Sequence, residues 1–443
     1  MFGATDLIVP AVVLTFLLGV LLAPLWLNRD ELPAGPSQNK CIKHKTDRDN
    51  DPRLIARPDD TIKVIRLTNS GEFVDRCELT NVLYELNWDR PRPEGSFGVA
   101  TKSGAKKLPK LAILYIHGWK HDASPDDRDL QNFTRLVLDL RTIHAGQKHV
   151  IGIYLGWNAS AGLPTFLENI SFWVKKKNAD RIAQSAVVTK IVSAIGSVTK
   201  SELDSLDQFV AIGHSFGARI LFSATAQSMV YETERAHPGF PGGEYKLVEG
   251  AADAVILLNP AFEASRYTAI DDITRNDEHF QVVQPPLMIT VATDNDWATK
   301  LAFPVGQWLG SSRSERELTT LGNYPPYSTH ILLPYVGEKA ESETSLLTQD
   351  FYAAGLHLTR RQRDEERRVV QPYNPFLVAQ TTNAVIDGHN GIWGPRFRAW
   401  LAELIRSLEA RNEQVVVEEE RNLTDRPPYR SQRPDSKLQD FER

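Results

Sequence analysis

The stretch Gln208–Val230, QFVAIGHSFGARILFSATAQSMV, constrains this chain more than any other. Gln208–Ile212 is a short, partly β-branched apolar run that suits a buried strand, and the residues from Ala218 onward favour a helix. Between them stands Gly213-His214-Ser215-Phe216-Gly217. A Gly-X-Ser-X-Gly pentapeptide at a strand-to-helix turn can lift a serine hydroxyl above a sheet. Gly213 and Gly217 are expected there because the sharp turn leaves no room for a Cβ. The pentapeptide is weak evidence alone. Its position between strand and helix is what makes Ser215 the candidate nucleophile.

The rest of the chain holds no internal repeat but alternates apolar strand-like runs with helical stretches. Leu111–Ile116, Val150–Leu155, Phe209–Ile212, Ala254–Leu258, Leu287–Ala292 and Ala384–Ile386 are continuous apolar runs, the pattern of strands covered on both faces. Helical stretches are expected at Leu130–Arg141, Asn178–Val198, after Ser215 and at Arg396–Leu408. Alternation of this kind implies an α/β fold, with a mostly parallel central sheet and helices on both faces. Chemistry in such sheets gathers beyond the carboxyl ends of the strands. Upstream, Thr61–Leu67 and Glu72–Asp75 flank the turn signal Asn69-Ser70-Gly71, which predicts a hairpin. Cys77–Asn87 has helical spacing.

The flanks differ from this body. Leu7–Leu27 is 21 residues without a charge, long enough to cross a bilayer as a helix. A single-pass anchor over residues 1–28 is therefore expected, with a cleaved signal peptide or a buried core helix as rival readings. Lys40, Lys43 and Lys45 follow the span, a thin bias toward a cytoplasmic body. Residues 29–60 read as a polar linker, 61–408 as the globular domain and 409–443 as a charged, disordered tail. An insertion is expected over about 300–382, before the last strand. Phe166–Ala183, with Lys175-Lys176-Lys177, reads either as a solvated basic helix face or as a lid at a membrane surface.

The chain of 443 residues is 42% hydrophobic and 24% charged, with a formal net charge of -5. That balance gives no electrostatic footprint for nucleic acid. The two cysteines, Cys41 and Cys77, have no metal-ligand spacing. They either pair in an oxidising compartment or stand as unrelated thiols. Neither a metal nor an organic cofactor is implied.

A serine nucleophile needs a base, usually an imidazole held by a carboxylate. Among eleven histidines, His389 in AVIDGHNGIWG follows a short apolar run and a glycine, where a loop can bring it to Ser215. His330 is the second choice. For the acid, LMITVATDNDWAT offers Asp296, which reaches further into its loop than Asp294; Glu263, after AVILLNPAF, is a third candidate. The oxyanion of an ester intermediate is best held by backbone amides. Those of Phe216, directly after the serine, and Trp119, in the loop after LAILYI, are the candidates. His117 reads as bracing that loop, and Lys120 and His121 as solvated or lining an entrance.

These residues carry a resemblance. GHSFG is similar to the elbow of esterases and lipases of the α/β-hydrolase superfamily, and the order Ser215, Asp296, His389 is the order found there. YIHGWKHDASPDD, then GIYLGW, then GHSFG, resembles a group of membrane-associated, esterase-like hydrolases, over about Thr61–Ser407. The resemblance implies an α/β-hydrolase fold and a serine hydrolase cleaving a carboxylic ester, lipid esters included. Amidase, thioesterase and acyl-transfer chemistry would use the same residues, and a non-catalytic membrane-anchored binding protein is the rival class. One departure is Phe216-Gly217-Ala218, where many relatives have Gly-Gly, which suggests a narrower acyl site.

Overall fold

A computed structural model describes residues 62–87, 108–160, 172–200, 206–237, 246–276, 280–281, 284–296, 314–335, 350–361 and 373–408. The expected anchor, linker and tail lie outside these residues. Among the described residues no single helix is long and apolar enough to cross a membrane.

The core is one ten-stranded sheet in the order β1-β3-β2-β4-β5-β6-β10-β7-β9-β8. Its strands are β1 (Ile62–Leu67), β2 (Lys110–Ile116), β3 (His149–Trp157), β4 (Gln208–His214), β5 (Ala254–Leu258), β6 (Met288–Thr293), β7 (His330–Pro334), β8 (Phe351–Ala353), β9 (Leu356–Arg360) and β10 (Phe376–Thr381). From β1 through to β7 every pairing is parallel. An antiparallel extension, β7-β9-β8, closes one edge.

Period-two alternation along the strands builds two cores, one on each face. Ala112, Leu114 and Ile116 of β2 share one with α1 (Arg76–Asn87), α3 (Phe172–Gln184), α4 (Val187–Thr199) and α5 (Phe216–Ala236). Leu111, Ile113 and Tyr115 share the other with α2 (Arg128–Ile143) and a final helix, residues 395–408. Because both faces are covered, the central strands β2, β4 and β5 are buried at every position. That is why they read as unbroken apolar runs.

The order β3-β2-β4-β5 contains the feature that positions a site. The chain leaves β2 for β3 on one side, and leaves β4 for β5 on the other. The loops after β2 and β4 therefore part, opening a crevice at the carboxyl ends.

Several expectations need correction. The hairpin is reduced to one bridge, Leu67 to Phe73, around a turn with Gly71 at φ 81°; β1 pairs with β3 instead. The helix expected over Asn178–Val198 breaks into α3 and α4 where Ala186 takes a left-handed φ of 57°. Ala384–Ile386 is a turn, and the strand beside β6 is β10. Ile386 is apolar because it is buried in the second core, not because it pairs. Strands β7 to β10 all fall in the segment expected to be an insertion, so much of it belongs to the sheet.

The basic run of α3 is not a solvated face either. Lys175 is fully buried, donating to the main-chain and side-chain oxygens of Asn158. Lys176 pairs with Glu263, and only Lys177 is exposed. Phe172 packs into the first core against Phe216 and Trp119. The remainder of the proposed lid, residues 166–171, lies outside the described residues. Cys77 is buried in α1 and disulfide-bonded. The sequence holds one other cysteine, Cys41.

Candidate active site

Ser215 sits between β4 and α5 with φ 56° and ψ -117°, a conformation that costs about 1–3 kcal/mol unless the surroundings impose it. They do so through three main-chain bonds. The Ser215 amide donates to Leu258 O at 3.0 Å, while its carbonyl accepts from Ala261 and Arg219, each at 3.2 Å. The two glycines complete the turn. A Cβ on Gly217 would lie 2.0 Å from Ile116 O, and one on Gly213 2.7 Å from Ala218 Cα, so neither position admits a side chain. Ala218 thus lays its backbone on β4.

The structure brings Ser215, His389 and Asp296 together. Ser215 Oγ lies 2.6 Å from His389 Nε2, and His389 Nδ1 lies 2.6 Å from Asp296 Oδ2. An ionised carboxylate only accepts, so Nδ1 carries the proton and donates it to Asp296. Nε2 is then a lone pair facing the serine O–H. Asp296 and Ser215 are each 1% exposed and the histidine side chain 15%. Imidazolium charge formed on His389 would therefore face a carboxylate shielded from water, where the attraction is strong.

The other candidates lie elsewhere. Asp294 is exposed, its amide bonded to Thr381 O. Glu263 is buried among cations: Arg219 Nη1 at 2.8 Å, Arg266 Nε at 2.9 Å and Lys176 Nζ at 3.2 Å. Burial works to raise its carboxyl, but these three hold it down at about 2. It binds α3 to α5 and does not orient a base. His330 is buried at the start of β7 with Nδ1 on Thr329 Oγ1, and burial with the Arg360 charge pushes it down to about 3.

The loop after β2 runs directly over the serine. A Cβ on Gly118 would lie 2.7 Å from Ser215 Cβ. His117 braces it: Nε2 accepts from the Trp157 amide at 3.0 Å, the His117 carbonyl accepts from the Trp157 indole at 3.1 Å, and the two rings stack at 5.7 Å. Burial holds His117 below its ordinary value, in keeping with a neutral, accepting ring. Phe216 is the first residue of α5, where an N–H has no acceptor within the helix. Lys120 lies over the Trp119 ring at 4.4 Å. His121 is tied to Asp127 at 2.8 Å and is not solvated. Although burial opposes its charge, Asp127 and Asp129 raise it.

Two residues whose roles sequence reasoning missed hold His389 from behind. His214 Nε2 and Asn259 Nδ2 both donate to the His389 carbonyl, at 3.0 and 2.9 Å. Burial, then the neighbouring His389, push His214 well down, so it is neutral and carries its proton on the donating Nε2. Further along the loop, Trp393 Nε1 donates to Asp129 Oδ1 at 2.6 Å, and Asp129 also accepts from Tyr115 and Tyr154. His214 lies in GHSFG, Tyr115 opens YIHGWKHDASPDD, Tyr154 lies in GIYLGW, Asn259 in AVILLNPAF and Trp393 in AVIDGHNGIWG, whereas Asp129 falls two residues past the end of YIHGWKHDASPDD. Among the described residues, no group of three or more His, Cys, Asp or Glu side chains is assembled to hold a metal.

No protein-family model matches this chain, and no curated protein matches it in sequence. Among solved structures it is similar to phospholipase PlaB from Legionella pneumophila in complex with thio-NAD, at 12% identity and a TM-score of 0.28, covering 70% of this chain and 62% of that one. It is also similar to esterase B from Lactobacillus rhamnosis inhibited by a tributyrin phosphonate (12% identity, TM-score 0.29, 71% and 80% covered) and to an acetylxylan esterase (9%, 0.24, 70% and 100%). The chain thus spans less than two thirds of the phospholipase. Likeness this distant carries no argument about activity, which rests on the site.

Proposed function

We propose that this chain is a serine hydrolase of the α/β-hydrolase fold that cleaves a carboxylic ester through an acyl-serine intermediate. One observation carries the reading: an unbroken hydrogen-bond relay from the hydroxyl of Ser215 through His389 to buried Asp296, with 2.6 Å at each link.

In this reading Ser215 Oγ attacks the ester carbonyl as its proton passes to His389 Nε2, and Asp296 stabilises the imidazolium without taking the proton. The carbonyl oxygen becomes an oxyanion facing the amides of Phe216 and Trp119, where one such donor is worth about 3–4 kcal/mol. Collapse expels the alcohol, which takes the proton from His389. Water then attacks the acyl-serine, giving its proton to His389, and the acid departs with Ser215 restored.

A panel of p-nitrophenyl esters of graded acyl length tests the proposal. Hydrolysis by the wild-type protein, lost in Ser215→Ala and His389→Ala, supports it; turnover of anilides or thioesters in preference to esters would move the assignment to amidase or thioesterase. No turnover of any acyl compound would favour the binding-protein alternative.

Residues 7–27 are proposed to anchor this enzyme in a membrane. The disulfide at Cys77 favours a body on the oxidising side, against the thin lysine bias. Maleimide accessibility in intact cells, with and without reductant, decides the side.

A further inference from the structure

We infer that Asn259 is a positioning residue that sets the distance between the base and acid of the proposed site by bonding to both of their loops at once. The inference rests on the hydrolase reading above.

Asn259 directly follows β5, which lies in the sheet between the nucleophile strand β4 and the acid strand β6. Its Nδ2 donates to the carbonyl of His389 at 2.9 Å, while its Oδ1 accepts from the amide of Thr293 at 2.9 Å. Thr293 closes β6, three residues before Asp296. One amide side chain, whose donor and acceptor cannot be exchanged without losing both bonds, therefore joins the base loop to the acid loop. The main chain on either side holds the nucleophile as well: Leu258 O takes the Ser215 amide, and the Ala261 amide donates to Ser215 O. The segment Leu258–Ala261 thus grips the loops of all three residues.

The conformation agrees with this role. Asn259 has φ 42°, a region where asparagine is favoured over most other side chains. Its own amide donates to Val291 O, and the side chain is 1% exposed, so it has no freedom to relax away. His389 sits in a turn beside Gly388 at φ 70°, not on a strand. Its ring position therefore depends on what holds its carbonyl, and His214 supplies the second donor. A displacement of about 1 Å in such geometry can cost about 100-fold in rate.

Asn259→Asp keeps the acceptor for Thr293 but places an oxygen against the His389 carbonyl, and Asn259→Ala removes both bonds. In the full chain, each is expected to slow fluorophosphonate labelling of Ser215 and kcat on p-nitrophenyl butyrate by about 10- to 100-fold, with KM changed less than about threefold. A far-downfield proton resonance of the His389–Asp296 bond is expected in the wild type and is expected to be lost in both variants. Labelling and kcat within about twofold of wild type, with the resonance kept, would overturn the inference. So would loss of the cooperative unfolding transition in both variants, which would assign Asn259 to folding alone. Absence of labelling in the wild type would sink the hydrolase reading instead, and the resonance would then still report on the clamp.

Discussion

Replacing Glu263 with glutamine should remove a defined amount of stability with a defined pH dependence. Its carboxylate lies within 3.2 Å of cationic nitrogens on Arg219, Arg266 and Lys176. Arg219 in turn reaches Asp180 of α3 at 2.5 Å, so three cations share two buried or half-buried carboxylates. The depression of Glu263 from 4.5 to about 2 corresponds to about 3 kcal/mol at neutral pH, at 1.36 kcal/mol per unit. Loss of one partner of a buried pair gives a similar figure, about 3–5 kcal/mol. Because the folded-state value lies below the unfolded one, this contribution is complete above about pH 5 and lost as pH falls toward 2. Near pH 3 about 1.5 kcal/mol should remain. Buried His330, held down to about 3 from 6.5, also weakens the fold as pH falls from 6.5 toward 3. It does so equally in both proteins and cancels in their difference. Urea unfolding of wild type and Glu263→Gln at about pH 7 and pH 3 should show a gap of about 3 kcal/mol that roughly halves. A gap that is equal at the two pH values, or below about 1 kcal/mol at neutral pH, would refute the account of this cluster.

Other changes test other parts of the structure. Gly217→Ala would push a methyl into the Ile116 carbonyl; it should lower the unfolding midpoint and abolish esterase activity, whereas a folded, fully active variant would show that the turn has slack. Trp393→Phe removes the indole donor to Asp129 and should reduce kcat by about tenfold or less while leaving KM unchanged, measured on the same ester panel. Reduction of the Cys77 disulfide should lower thermal stability, by about 2–4 kcal/mol if it closes a loop of ordinary length, read from melting curves with and without reductant; identical curves would contradict a structural bond.

The central strands could be read from the chain because being covered on both faces forces consecutive apolar residues, which no soluble loop needs. The elbow was legible because its sharp turn demands glycine at fixed spacing: Gly213 has Ala218 against it within the turn itself, and Gly217 has the end of β2, at Ile116, pressed against it. What failed was the part of the sheet beyond β6, from β10 to β8. FLVAQT of β10 stands just after Pro375 and is flanked on one side by a charged segment, so it reads as part of an excursion. Ala384–Ile386 then mimicked a strand through burial alone. In the sequence His389 stands just after that apolar run, yet its actual support is the carbonyl clamp from His214 and Asn259. Contacts 130 or more residues apart leave no periodicity to detect. Lys175 fails for another reason: its burial depends on the oxygens of Asn158, 17 residues earlier and just past the end of β3, a contact that no helical spacing marks.

The most direct test is to treat the full chain with a fluorophosphonate and map the adduct by mass spectrometry. The account predicts one phosphonyl group, on Ser215, with labelling slowed by at least about 1,000-fold in His389→Ala. An adduct on another residue, or labelling of Ser215 that proceeds at the wild-type rate without His389, would contradict it.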